Sequence, residues 1–257
     1  MLLCIDIGNT NIVLGLFRQE QLISHWRIST DNHKMPDEYG LLLLQLLALE
    51  GYTVQEITGI ALASVVPPLT DLYGEMLRTY VGIEPLTIGA GMRTGVAIRY
   101  DNPHEVGADR VVNAAAAYPL YGGPACVVDF GTATTFDALS AQGEYLGGAI
   151  APGIRIAAEA LFQRTAKLPR IDLQRPEKAI GTNTVESLRS GILWGYVGLV
   201  EGMVARFRRE LGPTMRVIGT GGLAELVAKE TEVIEIVDPW LTLKGLHIIY
   251  ELNRGTR

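Results

Sequence analysis

Apolar residues open the chain in short dense runs, over residues 2–7, 12–17 and 22–29, separated by glycine, amide and charged positions. Runs of that length between turn residues read as strands joined by tight reversals. Residues 36–49 carry a longer leucine-rich pattern that reads as a helix, with Pro36 suited to its first turn and Gly51 to its stop. A strand over 59–64, a helix over 68–80 and a short strand over 85–87 follow. The order then returns. Residues 125–129, 134–139 and 145–150 read as three strands, and 153–162 as a helix. An irregular proline- and arginine-bearing stretch, 167–178, leads into a long helical pattern over 184–211. A strand at 215–218, a helix at 223–229, a strand at 234–237 and a final helix over 239–253 complete the chain.

Three antiparallel strands followed by alternating helices and strands thus occur twice, and internal repetition is a stronger signal than any single element. The expectation is an α/β protein of two duplicated domains, 1–118 and 119–257, with Pro119, Gly122, Gly123 and Pro124 marking the boundary. The connector over 100–118 starts with the turn-rich Asp101-Asn102-Pro103 and continues into a helix. Crevices between domains are favoured ligand sites, so substrate residues are expected there.

The repeat extends to chemistry. Asp6-Ile7-Gly8-Asn9-Thr10-Asn11 and Asp129-Phe130-Gly131-Thr132-Ala133-Thr134 each end an apolar run in an aspartate and turn through a glycine into hydroxyl or amide residues. A carboxylate at a hairpin tip can bind a cation, and outward amides can cradle phosphate oxygens. One copy is an ordinary turn. Two copies about half the chain apart point to a duplicated fold closing on one polyanion, and so to phosphoryl transfer.

Bulk properties narrow the field. With 257 residues, 48% hydrophobic and 29 glycines, the chain can bury a sizeable core in a turn-rich fold. A net charge of −6 without a basic stripe argues against a nucleic-acid partner. No apolar run reaches the roughly 18 residues of a membrane span, and residues 41–49 are a short core-helix pattern. The first residues form a strand rather than a basic leader, so a cytoplasmic location is expected. Cys4 and Cys126 both fall inside buried strands, without a CxxC or a cysteine–histidine cluster, and read as small core hydrophobes.

Asp6 to Asn11, Gly107-Ala108-Asp109-Arg110 and Asp129 to Thr134 together resemble the motifs of type III pantothenate kinases. Gly147 to Gly153 and Gly181-Thr182-Asn183-Thr184 fit the same family, in order, over essentially the whole chain. The resemblance implies two RNase-H-like domains of the actin-like ATPase and sugar-kinase superfamily, facing each other across a nucleotide cleft. It also implies a homodimer, transfer of the ATP γ-phosphate to pantothenate at the start of coenzyme A synthesis, and a monovalent cation, potassium or ammonium, alongside magnesium with ATP.

Residue roles follow by the same resemblance. Asp6, Ile7, Gly8, Asn9, Thr10, Asn11, Ile12 and Val13 would meet ATP, with Asp6 holding magnesium or its waters, since hard cations take oxygen ligands. Thr132 would reach the phosphates through its amide or hydroxyl. Asp109 would accept the proton of the pantothenate hydroxyl; an acid stabilising a helix dipole is the plainer reading. Arg110 suits the pantothenate carboxylate because its planar fork pairs bidentately, against a surface ion pair with Asp109 or Glu105. Tyr100, Gly107, Ala108 and Thr184 would line the same substrate site, and Asp129 would ligate the monovalent cation.

Other features are less specific. Gly219-Thr220-Gly221-Gly222 lacks the Lys-Ser/Thr of a P-loop, and reads either as a nucleotide turn or as a helix start. His104 reads as a solvated turn residue. Gly191, Gly195 and Gly198 place small residues at helical spacing, for a dimer seam or for internal packing. A non-catalytic nucleotide-binding regulator on the same scaffold is one alternative, expected to lack Asp109 or Asp129; a phosphohydrolase of the superfamily is another. Fold alone does not separate them.

Overall fold

The computed structural model describes residues 1–89 and 91–255. Two compact units emerge: residues 1–97, 101–116 and 241–257 form the first, and 98–100 with 117–240 the second. The sequence places its single break at 118/119, whereas the last helix groups here with the first unit.

In the first unit, strands β1 (Leu2–Ile7), β2 (Asn11–Arg18) and β3 (Gln21–Ser29) form an antiparallel meander, and β4 (Gly59–Ser64) and β5 (Leu86–Thr87) add in parallel beyond β1. The sheet order is β3-β2-β1-β4-β5. β1 is central and buried along its length until Asp6, which is why its sequence is a continuous apolar run rather than an alternation. Helices α1 (Pro36–Leu49) and α2 (Pro67–Tyr80) bury Leu43, Leu47, Tyr73 and Leu77 against Leu3, Ile5 and Ile7. The leucine run of 41–49 is thus a core helix, as expected.

The last helix, α7 (Leu241–Asn253), packs on β1, β2 and β4. It comes so close that a Cβ on Gly15 would strike the Leu243 side chain. Helix α3 (Ala108–Tyr121) meets α7 where Gly245 lies against Val112 O and Thr242 Oγ1 donates to buried Asn113 Oδ1 at 2.8 Å.

The second unit repeats the plan. β6 (Ala125–Phe130), β7 (Ala133–Leu139) and β8 (Tyr145–Pro152) form the meander, β9 (Arg216–Thr220) and β10 (Ile236–Val237) the parallel extension, in the order β10-β9-β6-β7-β8. Even an irregularity recurs: the register shifts between Leu16 and Phe17 in the β2–β3 pair and between Ala138 and Leu139 in the β7–β8 pair. α4 (Ile154–Arg164), α5 (Thr184–Leu211) and α6 (Ala224–Ala228) enclose Cys126, Val128, Phe130, Phe136 and Val217. Both cysteines are free and buried, and burial pushes each thiol well up. No helix among the described residues is long and apolar enough to cross a membrane.

Candidate active site

In the first unit, Asp6 sits half-buried near the end of β1 and pairs with Val13 across the hairpin. The turn is closed by the Gly8 N–H on Asn11 O at 3.0 Å. Thr30 staples it from outside, its hydroxyl donating to Gly8 O at 2.6 Å and its N–H to Thr10 O at 3.0 Å. Asn9, Thr10 and Asn11 are exposed, so a rigid frame presents amides and short polar side chains to solvent. Ile7 and Ile12 are fully buried in the first core, which leaves only their backbone to meet a ligand.

The Gly107–Arg110 motif lies in the same unit. Asn102 opens the approach as a cap, its side chain accepting from His104 N at 3.3 Å and donating to Glu105 at 2.8 Å. His104 is exposed in this turn, the solvated role expected of it. Gly107 precedes α3, and its amide neighbourhood is filled by Asp109: a Cβ on Gly107 would stand 2.5 Å from Asp109 Oδ1 and 3.8 Å from Val65. Val65 in turn donates its N–H to Ile7 O at 3.0 Å. The start of α3 and the tip of β1 are therefore tied through one residue, and the fold brings together two motifs a hundred residues apart in the chain.

Asp109 accepts from the Arg110 N–H at 2.8 Å. Burial lifts its carboxyl above the usual carboxylate value, outweighing the Arg110 N–H and the Arg110 charge, which pull it down. Arg110 is itself buried, at 7% exposure, and Glu105 accepts from Asn102 Nδ2 at 2.8 Å.

In the second unit the Asp129 loop is shorter. Gly131 N–H donates to Ala133 O at 3.0 Å, and Thr132 is exposed. Gly153, at the end of β8, donates its N–H to Thr132 O at 3.1 Å. Tyr196 of α5 braces the same region, its hydroxyl donating to Pro152 O at 2.7 Å and exchanging a hydrogen bond with the Thr134 hydroxyl. The glycine-rich turn after β9 lies against this loop: Gly221 has φ +87°, and a Cβ there would meet Asp129 Oδ1 first and Phe130 N next, at 2.8 Å. Asp129, Thr132 and the 219–222 turn are thus one cluster. The donors are oxygens, with a carboxylate at the strand tip, which suits a hard cation. Among the described residues no group of three or more His, Cys, Asp or Glu is placed to hold a metal.

Two other expected substrate residues also sit in the second unit. Residues 98–100 run beside Tyr145 through the Arg99 N–H on Tyr145 O at 2.8 Å, and the Tyr100 ring lies 3.4 Å from where a Cβ on Gly147 would be. Thr184 is exposed in the first turn of α5, whose Asn183 cap accepts from Glu186 N at 3.0 Å. Gly181 packs directly on that turn, with Ser187 and Glu186 where a side chain would go. Sequence reading missed Tyr196, Asp137 and Asp238. All three are buried, and an interior polar residue carries no mark in the periodicity.

A family model described as type III pantothenate kinase matches residues 2–206. A type III pantothenate kinase of Moorella thermoacetica is 57% identical over 253 residues, covering 98% of this chain and 100% of that protein. Among solved structures, the ethanolamine utilization protein EutJ of Carboxydothermus hydrogenoformans superposes with a TM-score of 0.57 at 16% identity, over 96% of this chain and 89% of that one. An inorganic polyphosphate/ATP-glucomannokinase from Arthrobacter sp. strain KM does so with a TM-score of 0.51 at 14% identity, over 98% and 99%. At such identities these two speak for the fold alone, a duplicated α/β scaffold.

Proposed function

This chain belongs to the type III pantothenate kinase family, and from that premise we propose how its residues carry out the ATP-dependent phosphorylation of pantothenate in coenzyme A biosynthesis. Phosphoryl transfer leaves a protein three tasks: positioning, neutralising charge, and accepting the hydroxyl proton. The Gly8–Asn11 turn takes the ATP phosphates on its amides. Asp6, Ile7, Ile12 and Val13 supply the rest of that wall, and Asp6 is the oxygen ligand for magnesium arriving with ATP. Thr132, in the second unit, is the further residue assigned to ATP.

Asp109 is the base. The observation that carries this reading is its setting: a carboxylate fixed by the Arg110 N–H at 2.8 Å, whose burial raises it above the usual carboxylate value and so makes it a stronger proton acceptor. A dipole-stabilising surface acid has no need of that desolvation. Arg110 anchors the pantothenate carboxylate, and burial strengthens such a pairing by excluding water. Tyr100, Gly107, Ala108 and Thr184 shape the remainder of the acceptor site.

Asp129 ligates a monovalent cation, potassium or ammonium, which would supply positive charge close to the phosphates when bound. The oxygen-only donor set around it favours this assignment over a softer metal. The enzyme acts as a homodimer in this reading, because α5 presents Gly191, Gly195 and Gly198 on an exposed face with open space around each, a surface that admits a close-packed second helix. A cytoplasmic location accords with two buried cysteines left unpaired.

The decisive assay couples ADP release to pantothenate addition, with potassium or sodium as the only monovalent ion. Pantothenate-dependent ADP release that requires potassium supports the whole reading. Release that ignores pantothenate contradicts the acceptor site, and release equal in sodium contradicts the cation assignment.

A further inference from the structure

Polar side chains form a row across one end of the second sheet. Asp129 on β6 pairs with Thr135 of β7 on one side and with Thr220 of β9 on the other. Residues paired across neighbouring strands share a face and stand about 4.8 Å apart. Alternation keeps the row off the apolar core, because Cys126, Val128, Phe130 and Val217 occupy the opposite face, under the helices. Thr135 is accounted for, its hydroxyl donating to Asp137 at 2.9 Å. Beyond β9, the Asp238 N–H bonds Gly219 O at 2.9 Å, and its carboxylate accepts from the Tyr121 hydroxyl at 2.7 Å and the Trp240 N–H at 3.1 Å.

Thr220 stands between these two aspartates and differs from its neighbours. It is 1% exposed, and its hydroxyl has no hydrogen-bond partner. Buried hydroxyls are nearly always satisfied, and an orphan calls for a ligand or a function. The residue that follows, Gly221, adopts a left-handed conformation and lies directly against Asp129 Oδ1. One carboxylate and one unsatisfied hydroxyl paired across β6 and β9, with a second carboxylate aligned beyond β9, make an oxygen-rich position.

We propose that Thr220 Oγ1 is a ligand, alongside Asp129, for a weakly hydrated monovalent cation of potassium size. This rests on the reading of Asp129 as the cation ligand and adds a residue to it. A threonine hydroxyl offers two lone pairs, and large cations gather several oxygens in loose geometry. A neutral ligand competes best with water for an ion that holds its water weakly, so Thr220 also favours potassium over sodium.

Thr220→Val keeps the shape and removes the oxygen, and Thr220→Ser restores it. Two readouts apply to each: the melting temperature titrated with potassium chloride against choline chloride at constant ionic strength, and the potassium concentration for half-maximal ADP release. Wild-type protein should gain melting temperature with potassium, Thr220→Val should raise both potassium midpoints roughly tenfold or more, and Thr220→Ser should stay near wild type. In choline alone Thr220→Val should melt no lower than wild type, because no hydroxyl is left unsatisfied. Wild-type midpoints in Thr220→Val overturn the proposal, and so does a serine variant as impaired as the valine one. Asp129→Ala separates the two levels. If it abolishes the potassium response while Thr220→Val retains it, only the Thr220 assignment falls. If Asp129→Ala keeps the response, or wild type has none, the Asp129 reading falls and takes Thr220 with it.

Discussion

Gly153→Ala tests whether the second loop is held by backbone contact. Gly153 has φ −64° and ψ 152°, a conformation alanine adopts without strain, so only packing is perturbed. An added Cβ would stand 2.6 Å from Gly131 O and closer still to Thr132 O. Reaching an ordinary contact of 3.4 Å displaces the loop by at least about 0.8 Å. Overpacking of this kind costs about 1–3 kcal/mol. For a chain of this size that lowers the melting temperature by about 2–12 °C. The loop carries Thr132 and follows Asp129, and a misplacement near 1 Å costs on the order of a hundredfold in rate. At 25 °C, where the variant remains folded, kcat/KM for ATP should fall roughly ten- to hundredfold, with the pantothenate KM affected less. Gly89→Ala is the control, since a Cβ there has nothing within 4 Å. A Gly153→Ala protein that melts within about 1 °C of wild type with unchanged kinetics would refute the argument that this glycine sets the loop.

Asp109→Asn should lower turnover by roughly a hundred- to ten-thousandfold while leaving nucleotide affinity intact by calorimetry; retained turnover removes the base. Because burial raises the Asp109 carboxyl from its usual 3.8, the acid limb of kcat/KM in wild type should lie above the ordinary carboxylate range. The same shift makes the charged form a cost to the native state, so stability is lost as pH rises through the raised pKa. Asp109→Asn should therefore match wild type at low pH and melt higher at neutral pH; a difference that does not depend on pH contradicts the shift. Arg110→Ala should raise the pantothenate KM far more than that for ATP, and equal rises would exclude the anchor. Gly195→Arg, placed on the exposed small face of α5, should convert a dimer to monomer in light scattering, whereas an unaltered mass removes that helix from the interface.

The strands were legible because central strands are buried on both faces and must be apolar throughout, so a polar residue at the end of such a run stands out. Asp6 and Asp129 are conspicuous for that reason, and the repeated meander is plain in the spacing of glycines and apolar runs. The helices were legible from their length and, for the first, from Pro36 and Gly51 at its ends. The same logic hid Thr220. A threonine before two glycines reads as a turn residue, and its missing hydrogen bond exists only once β9 pairs with β6.

Local composition settled the elements, their order, the duplication and the acidic tips, because each of those depends on near neighbours in the chain. Tertiary structure decided the rest. Helix α7 packs on the first sheet although it follows the second, since a sheet face must be covered by whichever apolar helix reaches it, irrespective of chain order. The tie from Ile7 through Val65 to Gly107, the brace from Tyr196 and the close seats of Gly153 and Gly221 are contacts between segments far apart in sequence. No periodicity records such meetings, because they depend on distances that exist only after the chain has folded.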